Sequence, residues 1–126
     1  MKVSAIVVSH GNAAELVESL PALEPQVDEL LVIANVKGSV PEGIEALAND
    51  RPLGFGANVN LGLTRTRGEA VLISNPDAVA EPCAVAELRD FMESRPRCGV
   101  AGPRMVFPDG SPQPSRRRRS RRGRAR

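Results

Sequence analysis

Short apolar runs alternate with amphipathic and glycine-rich stretches along most of the chain. Residues 3–8, 30–34 and 70–74 are continuous runs rich in Val, Ile and Leu, and each predicts a buried strand. Residues 44–48 show a weaker pattern of the same kind and form a further candidate strand. Because helical patterns separate these runs, we predict an α/β fold with a mostly parallel sheet and flanking helices.

The first predicted helix follows the first strand directly. Asn12 stands where an N-cap is expected, and Glu15 lies three residues later, in the position of a capping box. Pro21 and Pro25 should end this helix, because proline lacks the amide hydrogen that a helix interior needs.

Two further helices are predicted downstream. Residues 54–67 have helical character after a glycine-rich start, and residues 82–94 form a helix with proline in its first turn. Three apolar residues of the helix at 82–94 should face inward: Val85, Leu88 and Met92. After it, residues 99–102 are typical of a short strand or turn, and residues 109–110 of a turn.

In a parallel sheet of this kind, ligands bind at the carboxyl ends of the strands. That rule directs attention to four places, which each follow a predicted strand. They are residues 9–11, residues 34–35, the loop at 53–60 and residues 75–77.

Composition narrows the function classes. The 126 residues allow one domain, with three Phe and neither Trp nor Tyr. Carbohydrate-binding modules offer flat aromatic faces to sugar rings, and single-stranded nucleic acids also need aromatic stacking surfaces. Both classes are therefore disfavoured, and nucleic acid is not the expected partner.

The net charge of +2 hides a strong asymmetry. Residues 115–126 hold eight of the seventeen basic residues and no acid, which leaves nine basic against fifteen acidic residues, or about −6, in residues 1–114. We expect a folded domain over 1–114 and an Arg-rich, disordered tail over 115–126. Three explanations of this tail are open. We favour a truncated or frameshifted reading frame. The other two are binding of nucleic acid or anionic lipid, and a solvated tail without a partner.

The cysteines indicate neither a zinc site nor a redox motif, and the apolar runs indicate no membrane span. Cys83 and Cys98 fit no zinc or CxxC spacing, which favours two reduced thiols. No apolar run approaches the ~20 residues that a membrane span needs. We therefore expect a cytoplasmic protein, and leave peripheral membrane contact open.

The strongest local signal for chemistry is Asp77. An apolar strand at 70–74 is followed by Asn75 and Pro76, so that this carboxylate is delivered at the end of the strand. A Mg²⁺ or Mn²⁺ ion that binds a diphosphate needs one or two such oxygen ligands. The alternative is that Asp77 only caps the next helix or turn.

A second signal is the glycine-rich segment 53–62. Glycines let backbone amides approach a phosphate or ribose closely, although a plain loop-to-helix connection gives the same pattern. A dinucleotide-binding motif is excluded, because Val59 occupies the place of its third glycine and the loop does not follow the first strand. The lone His10 is more typical of a hydrogen-bonding than of a catalytic residue.

Three segments in this order, 53–62, 67–77 and 102–115, resemble the family-2 glycosyltransferases with a GT-A fold. The likeness is greatest to the rhamnosyltransferase-type enzymes of bacterial cell-wall and surface polysaccharide assembly. It extends from residue 3 to about residue 115. The resemblance implies a partial GT-A fold that forms the nucleotide-sugar-binding half of such a domain.

The resemblance implies a role for each matching residue. Asp77 would contact the metal ion and the diphosphate of the donor, beside Asn75. Ser9 and His10 would line the nucleotide pocket, and Asn35 would lie near the base or ribose. The floor under the nucleotide and the donor sugar would be formed by Gly54, Phe55 and Asn60.

The implied reaction transfers a sugar, with inversion, from a dTDP- or UDP-sugar to a hydroxyl of a glycan or lipid-linked acceptor. Mg²⁺ or Mn²⁺ would stabilise the leaving diphosphate, and a carboxylate would deprotonate the acceptor. The setting would be cytoplasmic, with peripheral contact at the inner face of the membrane left open.

This chain departs from the family pattern in two ways. Ala34 stands where the family usually has Asp, and the loop at 36–39 is shorter than usual, which puts nucleotide affinity and base choice in doubt. The half that carries the catalytic base is expected to be missing, so that no catalytic residue is assigned and the chain alone should be weakly active or inactive. The alternatives are a non-catalytic nucleotide-binding module and nucleic-acid binding through the tail.

Overall fold

A single four-stranded sheet organises the computed structural model, which describes residues 1–114. All strands are parallel and follow the order β3-β2-β1-β4, which confirms the predicted α/β fold with a parallel sheet. The predicted tail at 115–126 lies outside the described residues. The elements are β1 (Val3–Ser9), α1 (Ala13–Leu23), β2 (Glu29–Ala34), β3 (Leu47–Ala48), α2 (Phe55–Leu63), β4 (Ala70–Ser74) and α3 (Ala84–Glu93).

β1 occupies the interior of the sheet and has a parallel neighbour on each side. Its pairing with β2 runs as far as Ser9 opposite Ala34, and its pairing with β4 as far as Val7 opposite Ser74. Both its faces and both its edges are covered, and Ile6 is fully buried. This is why β1 is a continuous apolar run rather than an alternating one.

One face of the sheet packs against α1 and α3. The core on this face is formed by alternate residues of β1, by Val32 of β2, by three leucines of α1 and by Val85 of α3. A fully buried leucine contributes about 1.5–3 kcal/mol relative to an exposed one, so the α1 contact is a main stabilising term. Of the α3 residues predicted to face inward, Val85 is buried, whereas Leu88 and Met92 are only half-buried.

The opposite face of the sheet packs closely against α2. A Cβ atom added to Gly62 would lie 2.8 Å from Cδ1 of Ile6, well inside van der Waals contact. Since Ile6 is fully buried, its side chain has no empty space into which it can move. Gly62 therefore allows α2 to approach β1.

A group of polar residues closes the amino-terminal edge of the sheet. The hydroxyl of Ser4 donates a hydrogen bond of 2.7 Å to Oε1 of Glu29 and accepts one of 2.8 Å from the amide of Gly68. The same Glu29 oxygen accepts a hydrogen bond of 2.9 Å from the amide of Arg67. The bond from Ser4, followed by the bond from Arg67, lowers the pKa of Glu29. These contacts fasten the turn before β4 to β1 and β2.

The predicted end of the first helix is confirmed at Pro25, which lies two residues beyond α1, and is wrong at Pro21. α1 continues through Pro21 to Leu23, because Leu20 and Leu23 are both buried in the core and their packing outweighs the hydrogen bond that proline removes. The predicted capping box also fails to form. The side-chain oxygen of Asn12 accepts a hydrogen bond from the amide of His10 (3.1 Å) instead of capping the helix.

Several other predicted boundaries need correction. The candidate strand at 44–48 is reduced to Leu47–Ala48, and residues 99–102 form neither a strand nor a turn. α2 ends at Leu63 rather than near residue 67, because the amide of Arg65 turns back to the carbonyl of Gly62. α3 begins two residues after Pro82.

The predicted turn at 109–110 is confirmed. Gly110 has a positive φ of 86°, and the amide of Phe107 donates to the carbonyl of Ser111. A bridge between Val106 and Pro112 completes a short hairpin.

The close approach at Gly62 predicts a specific loss of stability. Overpacking costs about 1–3 kcal/mol, while alanine favours a helix interior over glycine by up to about 1 kcal/mol. We expect Gly62→Ala to lower the free energy of unfolding by about 1 kcal/mol in urea titration. Gly56→Ala in the same helix is the control, because its Cβ would meet nothing within 4 Å. An equal change in both variants would contradict the close contact.

The lowered pKa of Glu29 predicts how stability depends on pH. Since the folded pKa lies below the ordinary 4.5, the ionised carboxylate stabilises the fold at neutral pH. This contribution is complete above the unfolded pKa and is lost as the pH falls through the folded pKa. The stability difference between the native chain and Glu29→Gln should therefore be largest near about pH 7 and shrink below about pH 4.5.

Glu18→Gln serves as the control for this pH series. Glu18 is exposed on α1 and makes no hydrogen bond or ion pair among the described residues, so this substitution should have little effect at any pH. A stability difference for Glu29→Gln that stays constant from about pH 7 to pH 3 would contradict the linkage.

Candidate functional site

The carboxyl ends of β1, β2 and β4 lie at one edge of the sheet, because the three strands are parallel neighbours. Ser9 is paired with Ala34, so the segments that follow β1 and β2 begin side by side. Ser74 is paired with Val7, two residues before Ser9, so the turn at 75–77 begins at the level where β1 ends. Three of the four predicted places are thus brought to the same edge.

Ser9 is a connecting residue at this edge. It is fully buried, and its hydroxyl donates to the carbonyl of Ser39 and accepts from the amide of Asn12 (3.2 Å). The buried hydroxyl of Ser39 in turn accepts from the amide of Gly11 (3.0 Å) and donates to the carbonyl of Val36 (2.6 Å). The two serines tie the turn after β1 to the loop after β2.

Asn35 fastens the fourth predicted segment, residues 53–60, to the sheet through Leu53. Its Oδ1 atom accepts hydrogen bonds from the amide of Leu53 (2.8 Å) and from Nδ2 of Asn49 (2.9 Å). Its Nδ2 atom donates to the carbonyl of Leu53 (2.9 Å) and lies 3.0 Å from Nδ1 of His10. All four hydrogen-bonding positions of the carboxamide are therefore used within the protein.

Asn49 and Asn58 extend this network, and sequence reasoning missed both. Nδ2 of Asn49 donates to Oδ1 of Asn58 (2.6 Å), and Nδ2 of Asn58 reaches the carbonyl of Leu53 (3.2 Å). Asn58 is fully buried although it lies in the first turns of α2. Its signal in the sequence is its position four residues before Gly62, on the side of α2 that faces the sheet.

The glycine-rich start of α2 is open to solvent. Gly54 precedes the helix with an extended backbone, and no side chain caps the first-turn amides. Phe55 is 58% exposed, and Asn60 in the next turn is also exposed. Since α2 leads away from the carboxyl edge after β3, its uncapped amides carry partial positive charge near that edge.

Asp77 lies in an exposed turn directly after β4. The turn is closed by a hydrogen bond from the amide of Ala78 to the carbonyl of Asn75 (3.1 Å), and the N-cap of α3 is Cys83. Asp77 therefore caps neither that helix nor that turn, and its carboxylate makes no hydrogen bond among the described residues. The simple capping role weighed in the sequence analysis is not what the structure shows.

The metal-ligating side chains at this edge suit a cation that is already bound to a diphosphate. Within residues 1–114 no three His, Cys, Asp or Glu side chains are placed to hold a metal ion by themselves. Mg²⁺ bound to a diphosphate needs only one or two carboxylates, since phosphate oxygens and water complete its shell. The single carboxylate of Asp77 matches that requirement.

Comparison with known protein families decides the relationship of the chain. The family model described as Glycosyl transferase family 2 matches residues 4–126. The chain belongs to this family. A search of curated proteins finds none that matches it.

The resemblance in the sequence analysis is thus confirmed at the level of the family. For a family-2 glycosyltransferase, membership implies a nucleotide-sugar donor, an acceptor and in general a divalent metal ion. The parallel sheet with helices on both faces agrees with a partial GT-A fold.

An open cavity adjoins the carboxyl edge of this family-2 glycosyltransferase on the side of β3. It has a volume of about 270 Å³ and is lined in part by Asn49 and Leu53. A second open cavity of about 430 Å³ lies beside β3 and shares Leu47 and Arg65 with the first. Neither is lined by any of the site residues predicted from the sequence.

The family-2 domain offers no helix for crossing a membrane within residues 1–114, since none there combines the necessary length and apolar character. Cys83 is exposed, Cys98 is half-buried, and both are free thiols.

The hydrogen bonds among the asparagines predict that buried Asn58 stabilises the carboxyl edge of the sheet. Asn58→Ala removes two hydrogen bonds and leaves a small void, so we expect a loss of about 2 kcal/mol in the free energy of unfolding. Asn60→Ala is the matched control on the same helix and should stay within about 0.5 kcal/mol of the native chain. Equal stabilities of the two variants in chemical denaturation would refute the role of the network.

Proposed function

We propose that residues 1–114 bind a nucleoside-diphosphate sugar across the carboxyl edge of the sheet, for inverting transfer of the sugar to an acceptor hydroxyl. One observation carries the proposal: parallel β1, β2 and β4 bring three of the predicted segments to a single edge, in a member of glycosyltransferase family 2. Asn35 holds the fourth segment beside them through Leu53.

Asp77 is the proposed residue for the diphosphate end of the donor. Its exposed carboxylate, which is unpaired among the described residues, would hold a Mg²⁺ or Mn²⁺ ion, with Asn75 beside it. When bound, such an ion neutralises the charge that develops on the leaving diphosphate. Asp77 is the only charged residue of the turn at 75–77 and would supply the negative charge that attracts the cation.

The glycine-rich start of α2 is the proposed floor of the site. Gly54 leaves the backbone open to a ligand, since no atom lies within 4 Å of where its Cβ would be. The exposed ring of Phe55 offers an apolar surface for a base, ribose or sugar. Asn60, also exposed, offers a polar group one turn further along the helix.

The nucleotide end of the site is proposed to rely on His10 more than on Ser9 or Asn35. Ser9 and Asn35 are buried, and their polar atoms already bond within the protein, so they support the pocket wall. Ala34 provides no carboxylate where the family usually has one. We therefore propose weak discrimination between uracil and thymine nucleotides.

The finer assignments are also proposals. The likeness of the glycine-rich and Asn75-Pro76-Asp77 segments supports a rhamnosyltransferase-like subgroup, a glycan or lipid-linked acceptor and a role in cell-wall polysaccharide synthesis. A cytoplasmic setting with peripheral membrane contact follows from that role.

Nucleotide binding tests the proposal directly. Isothermal titration with UDP or dTDP should give a metal-dependent affinity that falls at least about tenfold in Asp77→Asn when Mn²⁺ is present. Without metal the native chain and the variant should bind equally within about twofold. Asp90→Asn, an exposed carboxylate on α3, is the control and should bind like the native chain. Unchanged metal-dependent affinity in Asp77→Asn would overturn the assignment.

A further inference from the structure

His10, the chain's single histidine, follows β1 directly and is the only predicted nucleotide-pocket side chain there that is exposed. Its Nδ1 atom lies 3.0 Å from Nδ2 of the buried Asn35. A neutral imidazole carries one proton, on either of its two nitrogens, and the partner of one nitrogen decides the position of the proton. The orientation of the Asn35 carboxamide therefore decides which ring nitrogen of His10 carries the proton.

The backbone of Leu53 fixes that orientation. Its amide is a donor only and lies 2.8 Å from Oδ1 of Asn35, while its carbonyl is an acceptor only and lies 2.9 Å from Nδ2. Exchange of the two ends of the carboxamide would place donor against donor and acceptor against acceptor. Nδ2 of Asn49, at 2.9 Å from Oδ1, adds a second donor to the same side.

An N–H group of Asn35 consequently points at Nδ1 of His10. That nitrogen can be only an acceptor, so the single proton of the neutral ring is on Nε2. The amide of His10 also donates to the side chain of Asn12 (3.1 Å), which restrains the backbone that carries the ring. Nε2 makes no hydrogen bond with any described residue and is the ring nitrogen left for a ligand.

We propose that Asn35 is a positioning residue that holds His10 as the Nε2–H tautomer, and that Nε2–H donates a hydrogen bond to an oxygen of the bound nucleotide. The part that concerns the ligand rests on the proposed donor-binding function, whereas the tautomer rests on the hydrogen bonds alone. In this form the ring has no free lone pair, because Nδ1 is occupied. His10 therefore binds and orients the donor rather than accepting a proton from the acceptor hydroxyl.

The tautomer can be read in the ligand-free protein. Long-range ¹H–¹⁵N spectra of the full chain at alkaline pH, where imidazole is neutral, show one ring because there is one histidine. We expect Nδ1 to resonate as an unprotonated nitrogen and Nε2 as a protonated one. A dominant Nδ1–H form, or the mixture shown by free histidine, would overturn the proposal.

Two variants separate positioning from folding. Asn35→Asp replaces the N–H that faces Nδ1 by a carboxylate oxygen, which can only accept, so the ring should switch to Nδ1–H. Asn49→Ala keeps both Leu53 contacts of Asn35 and should retain Nε2–H, although it removes hydrogen bonds from the same network. Backbone amide spectra verify that each variant is folded. Retention of Nε2–H by folded Asn35→Asp would overturn the positioning role, and the native-chain spectrum remains decisive if that variant does not fold.

Nucleotide titration tests the part that concerns the ligand. UDP with Mg²⁺ should shift the Nε2 resonance of the native chain and leave the tautomer unchanged. His10→Phe should weaken UDP binding about tenfold, and His10→Gln, whose amide can place an N–H near the Nε2 position, should recover part of the loss. Equal affinities of all three proteins would overturn the role of Nε2–H. If UDP does not bind at all, both that role and the proposed function fail, while the ligand-free spectra still decide the tautomer.

Discussion

Parallel hydrogen bonding of β1 to a strand on each side is the constraint on which the rest of the structure depends. It aligns the ends of β1, β2 and β4, so that segments far apart in the sequence leave the sheet at the same edge. It also covers both edges of β1, while helices cover its two faces, so the strand is mostly apolar and α2 needs a glycine where it crosses Ile6. The position of the candidate site thus follows from the strand pairing, and the composition of the core from that pairing together with the covering helices.

The carboxyl edge is held by buried polar contacts rather than by apolar packing. Ser9 and Ser39 join two loops, and Asn35, Asn49 and Asn58 join a third loop to the sheet. Each such hydrogen bond contributes only about 0.5–1.5 kcal/mol, but a buried amide without a partner costs about 1–3 kcal/mol. The network therefore strongly disfavours alternative loop conformations. Such fixed loops suit the proposed binding of a nucleotide at this edge.

The residues at this edge divide by exposure into support and contact groups. Ser9 and Asn35 are buried and bonded within the protein, whereas His10, Phe55 and Asp77 are exposed. The resemblance implies a ligand-contacting role for all five, and this division separates the residues that support the edge from those that face solvent. The proposed contacts with the donor fall to the exposed group, whereas the hydrogen bonds of the buried group hold the edge together.

The strands were predictable because their signals are local. Continuous Val, Ile and Leu runs indicate buried parallel strands wherever they occur, and the placing of Asp77 after β4 followed from the same pattern. The extent of the helices was less predictable. Pro21 has a strong local preference to end a helix, but the burial of Leu20 and Leu23 outweighs it, and burial depends on residues distant in the sequence.

What the amino-acid pattern determined alone was therefore the class of fold, the order of its strands and helices, and the family. The tertiary structure decided which polar residues at the edge support it and which face solvent. Asn35, Asn49, Asn58 and Asn60 are chemically identical, and among them only Asn58 has a local signal, its helical spacing from Gly62. Asn35 and Asn58 become buried and bond to Leu53, half-buried Asn49 joins the two, and Asn60 remains exposed, because only folding brings the loop of residues 49–53 against the ends of β1 and β2.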